Sequence, residues 1–107
     1  MEYDEELASA SARRLDELGI ENVTIIHGDG TLGAPEHAPF DAVIVSAAAR
    51  SVPDAPLAQL ARGGRMVFPL ADSDDAQRLM HIQIADSGAT RETDLEMPVR
   101  FVPLIGS

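Results

Sequence analysis

A chain of 107 residues suffices for one small domain with a single core. Its 45% apolar and 24% charged residues match an ordinary soluble protein, and no run approaches the roughly 20 apolar residues that span a bilayer. The absence of cysteine excludes disulfides, thiolate nucleophiles and cysteine-ligated zinc or iron–sulfur sites, and a formal charge of −10 sets the chain against phosphate backbones, so neither nucleic acid nor membrane is an expected partner.

Asp4, followed by Glu5 and Glu6 and balanced by Arg13 and Arg14, predicts a helix over residues 4 to 18. Leu7, Ala8, Leu15 and Leu18 form a stripe expected to pack on one face, and Gly19 supplies the stop. The same acidic opening is the reverse of a secretory signal, so the cytoplasm is the expected compartment. Val23 to Ile26 reads as a strand, and "DAVIVS", residues 41 to 46, as a second one buried on both faces of a parallel sheet. Pro53 and Pro56 introduce a helix from about 54 to 61, stopped by Gly63 and Gly64, and "RMVFPL" follows as a third strand.

That alternation is the signature of a βα-wound parallel sheet with a crossover helix. The tail differs: "RLMHIQIAD" and "ETDLEMPVRFVPL" flank a glycine turn as an antiparallel hairpin. A wound sheet normally opens on a strand, a glycine-rich turn and a helix, and this sequence starts on the helix after Met1, Glu2 and Tyr3, so residues 1–107 are expected to be the C-terminal part of a domain.

In open α/β sheets, ligands lie outside the carboxyl ends of the strands. Glu2 falls at such an end, either as an ordinary acidic residue near a helix start or as an acceptor for a ribose diol. Asp29, between Gly28 and Gly30, is either a simple Asp-Gly turn or a carboxylate beside a flat base that glycines allow to come close. "SAAA", Ser46 to Ala49, ends the next strand with small residues suited to close approach or to tight packing. His27, His37 and His81 are too scattered for a two-histidine metal motif and read as structural or solvent-facing; no metal is expected. Asp72, Asp74 and Asp75 lack the glycine and glutamate of a calcium loop, and Ser46 lacks a GxSxG elbow.

Taken jointly, "GDGTLGAPEHAPFDAVIVSAAA", "LARGGRMVFPL" and "MPVRFVPLIG" resemble the C-terminal half of protein-L-isoaspartate O-methyltransferase, over nearly all of the chain. The resemblance implies a Rossmann-like, S-adenosylmethionine-dependent methyltransferase fold, truncated, with a mostly parallel sheet and an antiparallel C-terminal hairpin. It implies methylation of the free carboxylate of isoaspartyl residues in damaged proteins, whose ester then collapses to a succinimide. It makes Glu2 the carboxylate on the cofactor's ribose, puts Asp29 and Gly30 on its adenine side, and sets Ser46, Ala47 and Ala48 with Val99, Arg100 and Phe101 along the isoaspartyl peptide. The family's glycine-rich motif and its segment at the methyl-transfer site have no counterpart in these residues, so no catalytic residue is assigned. Arg50 stands where the family usually has proline, a positive charge available to an acidic peptide. The alternative is a non-catalytic half-fold that self-associates or binds another chain through its uncovered sheet.

Overall fold

The structure, a computed structural model, describes residues 1–106. Helix α1, Glu5–Glu17, is built by its ends. The Asp4 carboxylate accepts the Leu7 N–H at 2.9 Å, Glu5 and Glu6 occupy the first turn, and Arg14 the last. Gly19, at φ +69°, donates to the Asp16 carbonyl while Ile20 donates to that of Leu15, a Schellman stop.

The expected packing of the stripe is not found. Only Ala8 is buried, and Leu7 and Leu18 are 57% and 63% exposed, because no strand of the sheet packs extensively against α1. Val23 to Ile26 likewise forms no strand. A strand needs a hydrogen-bonded neighbour along its length, and here one residue supplies it: Glu2 donates to the Ile26 carbonyl and accepts from the Gly28 N–H, both at 2.9 Å.

Four strands form one sheet in the order β1-β2-β3-β4: β1 Phe40–Ile44, β2 Leu60–Ala71, β3 Gln77–Ile84 and β4 Thr90–Val99. β1 and β2 are parallel and joined through helix α2, Asp54–Ala58, while β2–β3 and β3–β4 are antiparallel. The sheet described is therefore mixed rather than mostly parallel, with the C-terminal hairpin as expected. β1 is not buried on both faces: Ile44 is 78% exposed, and the edge away from β2 has no strand beside it among the described residues.

Gly63 and Gly64 do not stop α2, which ends at Ala58 with Gln59 as its cap; they lie within β2. There the register jumps from Phe40↔Leu60 to Ala42↔Arg65, and the extra residues need Gly63 at φ +79°. A Cβ on Gly64 would sit 2.7 Å from the Ala61 carbonyl oxygen and 3.0 Å from that of Phe40.

The core lies on one face. Met66, Phe68, Met80 and Ile82 interlock across β2 and β3, with Ala49 and Leu60 among them and Leu57 of α2 packed against them. β4 is the other edge of the sheet, protected as natural edges are: Pro98, charged side chains at Arg91, Glu92, Asp94 and Glu96, and a register shift opposite Arg78 and Met80. Arg78 and Asp94 pair across it at 2.7 Å.

Candidate functional site

Beyond Ile44 the chain stays beside β2, with Val45 donating to Val67, Ala49 to Pro69, and Ala71 back to Ala49. The opposite edge of Ala48 is taken by the tail: its N–H donates to the Val102 carbonyl at 2.7 Å, and its carbonyl accepts from Leu104 at 2.9 Å. The 46–49 segment and the end of "VRFVPL", 55 residues apart in expectation only as sequence, thus become neighbours along one line of hydrogen bonds.

A cleft of about 950 Å³ opens between this line and the N-terminal segment. Its walls bring together Glu2, Gly30, Ser46 and Ala47, four residues from the three segments expected at strand ends, with apolar Val43, Val45, Leu104 and Ile105 between them. The half-buried Glu2 side chain has no hydrogen-bond partner among the described residues.

Asp29 caps the short 3-10 turn Gly30–Leu32 beside the cleft. Its Oδ1 accepts from the Thr31 N–H at 2.9 Å and from Thr31 Oγ1 at 2.5 Å, which holds that oxygen against the turn. The tail passes close by: a side chain on Gly106 would overlap the Asp29 carboxylate.

Gln59 was not legible as a site residue. From the end of α2 its Oε1 accepts from the Ala34 N–H at 2.8 Å and its Nε2 donates to the Leu32 carbonyl at 3.1 Å, pinning the loop that carries Asp29 and Gly30. Gly33, at φ +67°, leaves the room this amide occupies. A glutamine at a helix end carries no pattern of its own, so only the folded loop shows its use.

Other expected positions disperse. Ala48 is buried and lines a second cavity, of about 540 Å³, on the far side of the Ala48–Pro103 pairing. Val99 ends β4 opposite Gln77, Arg100 is exposed, and Phe101 is held by its backbone to Gln77; none of the three lines the cleft, which the chain reaches only from Val102 onward. The Arg50 guanidinium turns away, to the Asp75 carboxylate and the Asp72 carbonyl, so its charge is engaged. Asp72 itself closes that turn, its Oδ1 accepting from the N–H groups of Asp74 and Ala76.

His27 meets the Tyr3 carbonyl at 3.1 Å through Nε2, His37 lies at the cleft rim, and His81 is within β3. Among the described residues, no three His, Asp or Glu side chains gather closely enough to hold a metal ion. No helix among them is long and apolar enough to cross a membrane.

A β–α–β unit that opens a cleft at the carboxyl ends of its parallel strands, with an acidic residue in its wall, defines the class of wound α/β ligand-binding folds. Within that class the chain belongs to the family described as Protein-L-isoaspartate(D-aspartate) O-methyltransferase (PCMT), whose sequence profile matches residues 1–107. It is 47% identical over 103 residues to Protein-L-isoaspartate O-methyltransferase 2 of Pelobacter propionicus, covering 96% of this chain and 45% of that protein. It is 50% identical over 97 residues to Protein-L-isoaspartate O-methyltransferase of Anaeromyxobacter dehalogenans, covering 91% of this chain and 46% of that protein.

A solved protein-L-isoaspartate O-methyltransferase superimposes with a TM-score of 0.87 at 28% identity, over 97% of this chain and 32% of the other. The putative Plasmodium falciparum enzyme, solved in complex with S-adenosyl-L-homocysteine, gives 0.79 at 27% identity over 96% and 50%. The chain spans about half the length of the curated relatives it matches.

Proposed function

We propose that this chain supplies one wall of an S-adenosylmethionine-dependent protein carboxyl methyltransferase that acts on isoaspartyl residues of damaged proteins in the cytoplasm. The observation that carries the reading is the convergence of Glu2, Gly30, Ser46 and Ala47 on one cleft in a chain of this family. The residues present fit the ribose side of the cofactor, since Glu2 offers a carboxylate with no partner among the described residues, and two acceptor oxygens match two vicinal hydroxyls. S-adenosylmethionine, when bound, supplies a methyl group on an electrophilic sulfonium.

The chain's own contribution is placement. Glu2 anchors the ribose, Gly30 admits close approach of the base beside the oriented Asp29, and Ser46 to Ala48 present small side chains where the peptide must come near. Val99, Arg100 and Phe101 belong to the peptide side in this reading, through the backbone path they set for residues 102 to 104. The substrate carboxylate, with a pKa of about 4, is ionised at neutral pH and needs no general base. Positioning and exclusion of water are then the available sources of rate, worth at most about 7–11 kcal/mol, and they require both walls of the site.

Isothermal titration with S-adenosylhomocysteine tests this. Saturable binding to the 107-residue chain, weakened about tenfold or more in Glu2→Ala, is expected, since hydrogen bonds to a charged group contribute roughly 1.5–3 kcal/mol. No binding by a chain shown folded by circular dichroism would overturn it.

One observation favours a second reading, association through the uncovered sheet: Ile44 and Val102 are 78% and 71% exposed beside an unpaired strand edge. Here the face takes a second copy or another chain.

A further inference from the structure

The cleft and the second cavity share a wall. Pro103 and Leu104 line both, Ala47 faces the first and Ala48 the second, so the Ala48–Pro103 pairing is the partition between them. What holds the tail in that partition is not β4, which ends at Val99, and not a strand of any length, since the pairing at Ala48 is a single bridge.

The hold comes from Gln77. Its backbone pairs with Val99 at the last step of the β3–β4 ladder. Two residues on, its side chain continues that ladder: Oε1 accepts from the Phe101 N–H at 2.7 Å and Nε2 donates to the Phe101 carbonyl at 3.1 Å. A carboxamide has the donor and acceptor of a peptide unit, so it stands in for the strand residue that is missing there. The residue next to this clamp is Val102, whose carbonyl takes the Ala48 N–H. Gln77 also lines the second cavity.

We infer that Gln77 is a positioning residue: its side-chain amide fixes the crossing of the chain at Phe101 and thereby sets the partition against which the isoaspartyl peptide is held, while leaving the Glu2 anchor of the cleft in place. This rests on the function proposed above. Glu2 is held by the Ile26 and Gly28 backbone, and the loop that carries Gly30 is held by Gln59, so the Glu2 side and the tail side of the site separate in a mutational test.

The test is amide hydrogen exchange on the 107-residue chain and on Gln77→Ala and Gln77→Glu, with titration by S-adenosylhomocysteine and by a short isoaspartyl peptide. In Gln77→Ala, losing two hydrogen bonds should speed exchange at Ala48 and Leu104 by about tenfold or more. The β2–β3 ladder amides should be unchanged, which shows that the variant folds. Affinity for the peptide should fall by roughly tenfold while that for S-adenosylhomocysteine stays within about twofold. Gln77→Glu, which still accepts from the Phe101 N–H, should recover part of both effects.

Unchanged exchange at Ala48 and Leu104 overturns the clamp. Equal weakening of both ligands overturns the positioning role and leaves Gln77 merely structural. A parent chain that binds neither ligand is the distinct signature of the underlying function failing, and the peptide role of Gln77 falls with it.

Discussion

Asp29 shows how one side chain serves fold and site together. Its Oδ1 holds the 3-10 turn through Thr31, so truncation and neutralisation should separate. Asp29→Ala removes the cap and should cost about 0.5–2 kcal/mol in denaturant unfolding. Asp29→Asn keeps an acceptor for the Thr31 N–H, so its stability should stay within roughly 0.5 kcal/mol of the parent. If the two variants unfold alike, the cap is not what Asp29 contributes. Gly64 offers a second case, in which backbone space rather than chemistry decides the residue. A Cβ would press on two carbonyl oxygens inside the β1–β2 ladder, so Gly64→Ala should destabilise by about 1–3 kcal/mol, read from the urea midpoint at unchanged slope. A neutral outcome would mean that the β2 irregularity relaxes freely.

Among the elements, helix α1 and strand β2 are stabilised by different means. α1 rests on its caps and dipole more than on packing, because Leu7 and the C-capping Leu18 face solvent and only Ala8 is buried. Leu7→Ala and Leu18→Ala should therefore each change stability by less than about 0.5 kcal/mol, whereas Phe68→Ala, in the fully buried cluster, should cost about 3–5 kcal/mol. Thermal or urea unfolding followed by circular dichroism checks the contrast; a large cost at Leu7 would show that α1 packs on a surface in solution. The residues from Val23 to Ile26 have the composition of a strand, yet composition states only that a pleated neighbour would be accepted. With Glu2 as the single partner, the ladder stops after one bridge.

For the whole molecule, area carries the argument. The accessible surface is 7402 Å², against roughly 5,800 Å² for a compact monomer of this mass. The radius of gyration of 14.7 Å likewise exceeds the about 13 Å of a compact domain this long. The excess, about 1,600 Å² on one chain, is twice the roughly 800 Å² that each partner contributes to a standard protein interface. Association through the face bearing Ile44 and Val102 is therefore expected, opposed by a charge of −10 on each copy. Sedimentation velocity should show assembly that strengthens as added salt screens the repulsion, and Ile44→Lys with Val102→Lys should shift it to monomer. A parent that stays monomeric at high salt would refute it.

The sequence by itself determined whatever depends on neighbours along the chain. The capped helix from Asp4, the Gly19 stop, the β–α–β succession and the glycine turn at Gly88 all follow from local patterns, and the joint order of three segments marked the family. Only the tertiary structure decided what depends on company across the chain: that Val23 to Ile26 lacks a ladder, that β1 stays open, that Arg50 is paired with Asp75, and that Gln59 and Gln77 are the amides holding the two sides of the cleft. The physical reason is that caps and turns are satisfied within a few residues, whereas a sheet edge, an ion pair or a buried face is completed by partners whose distance in sequence no local pattern encodes.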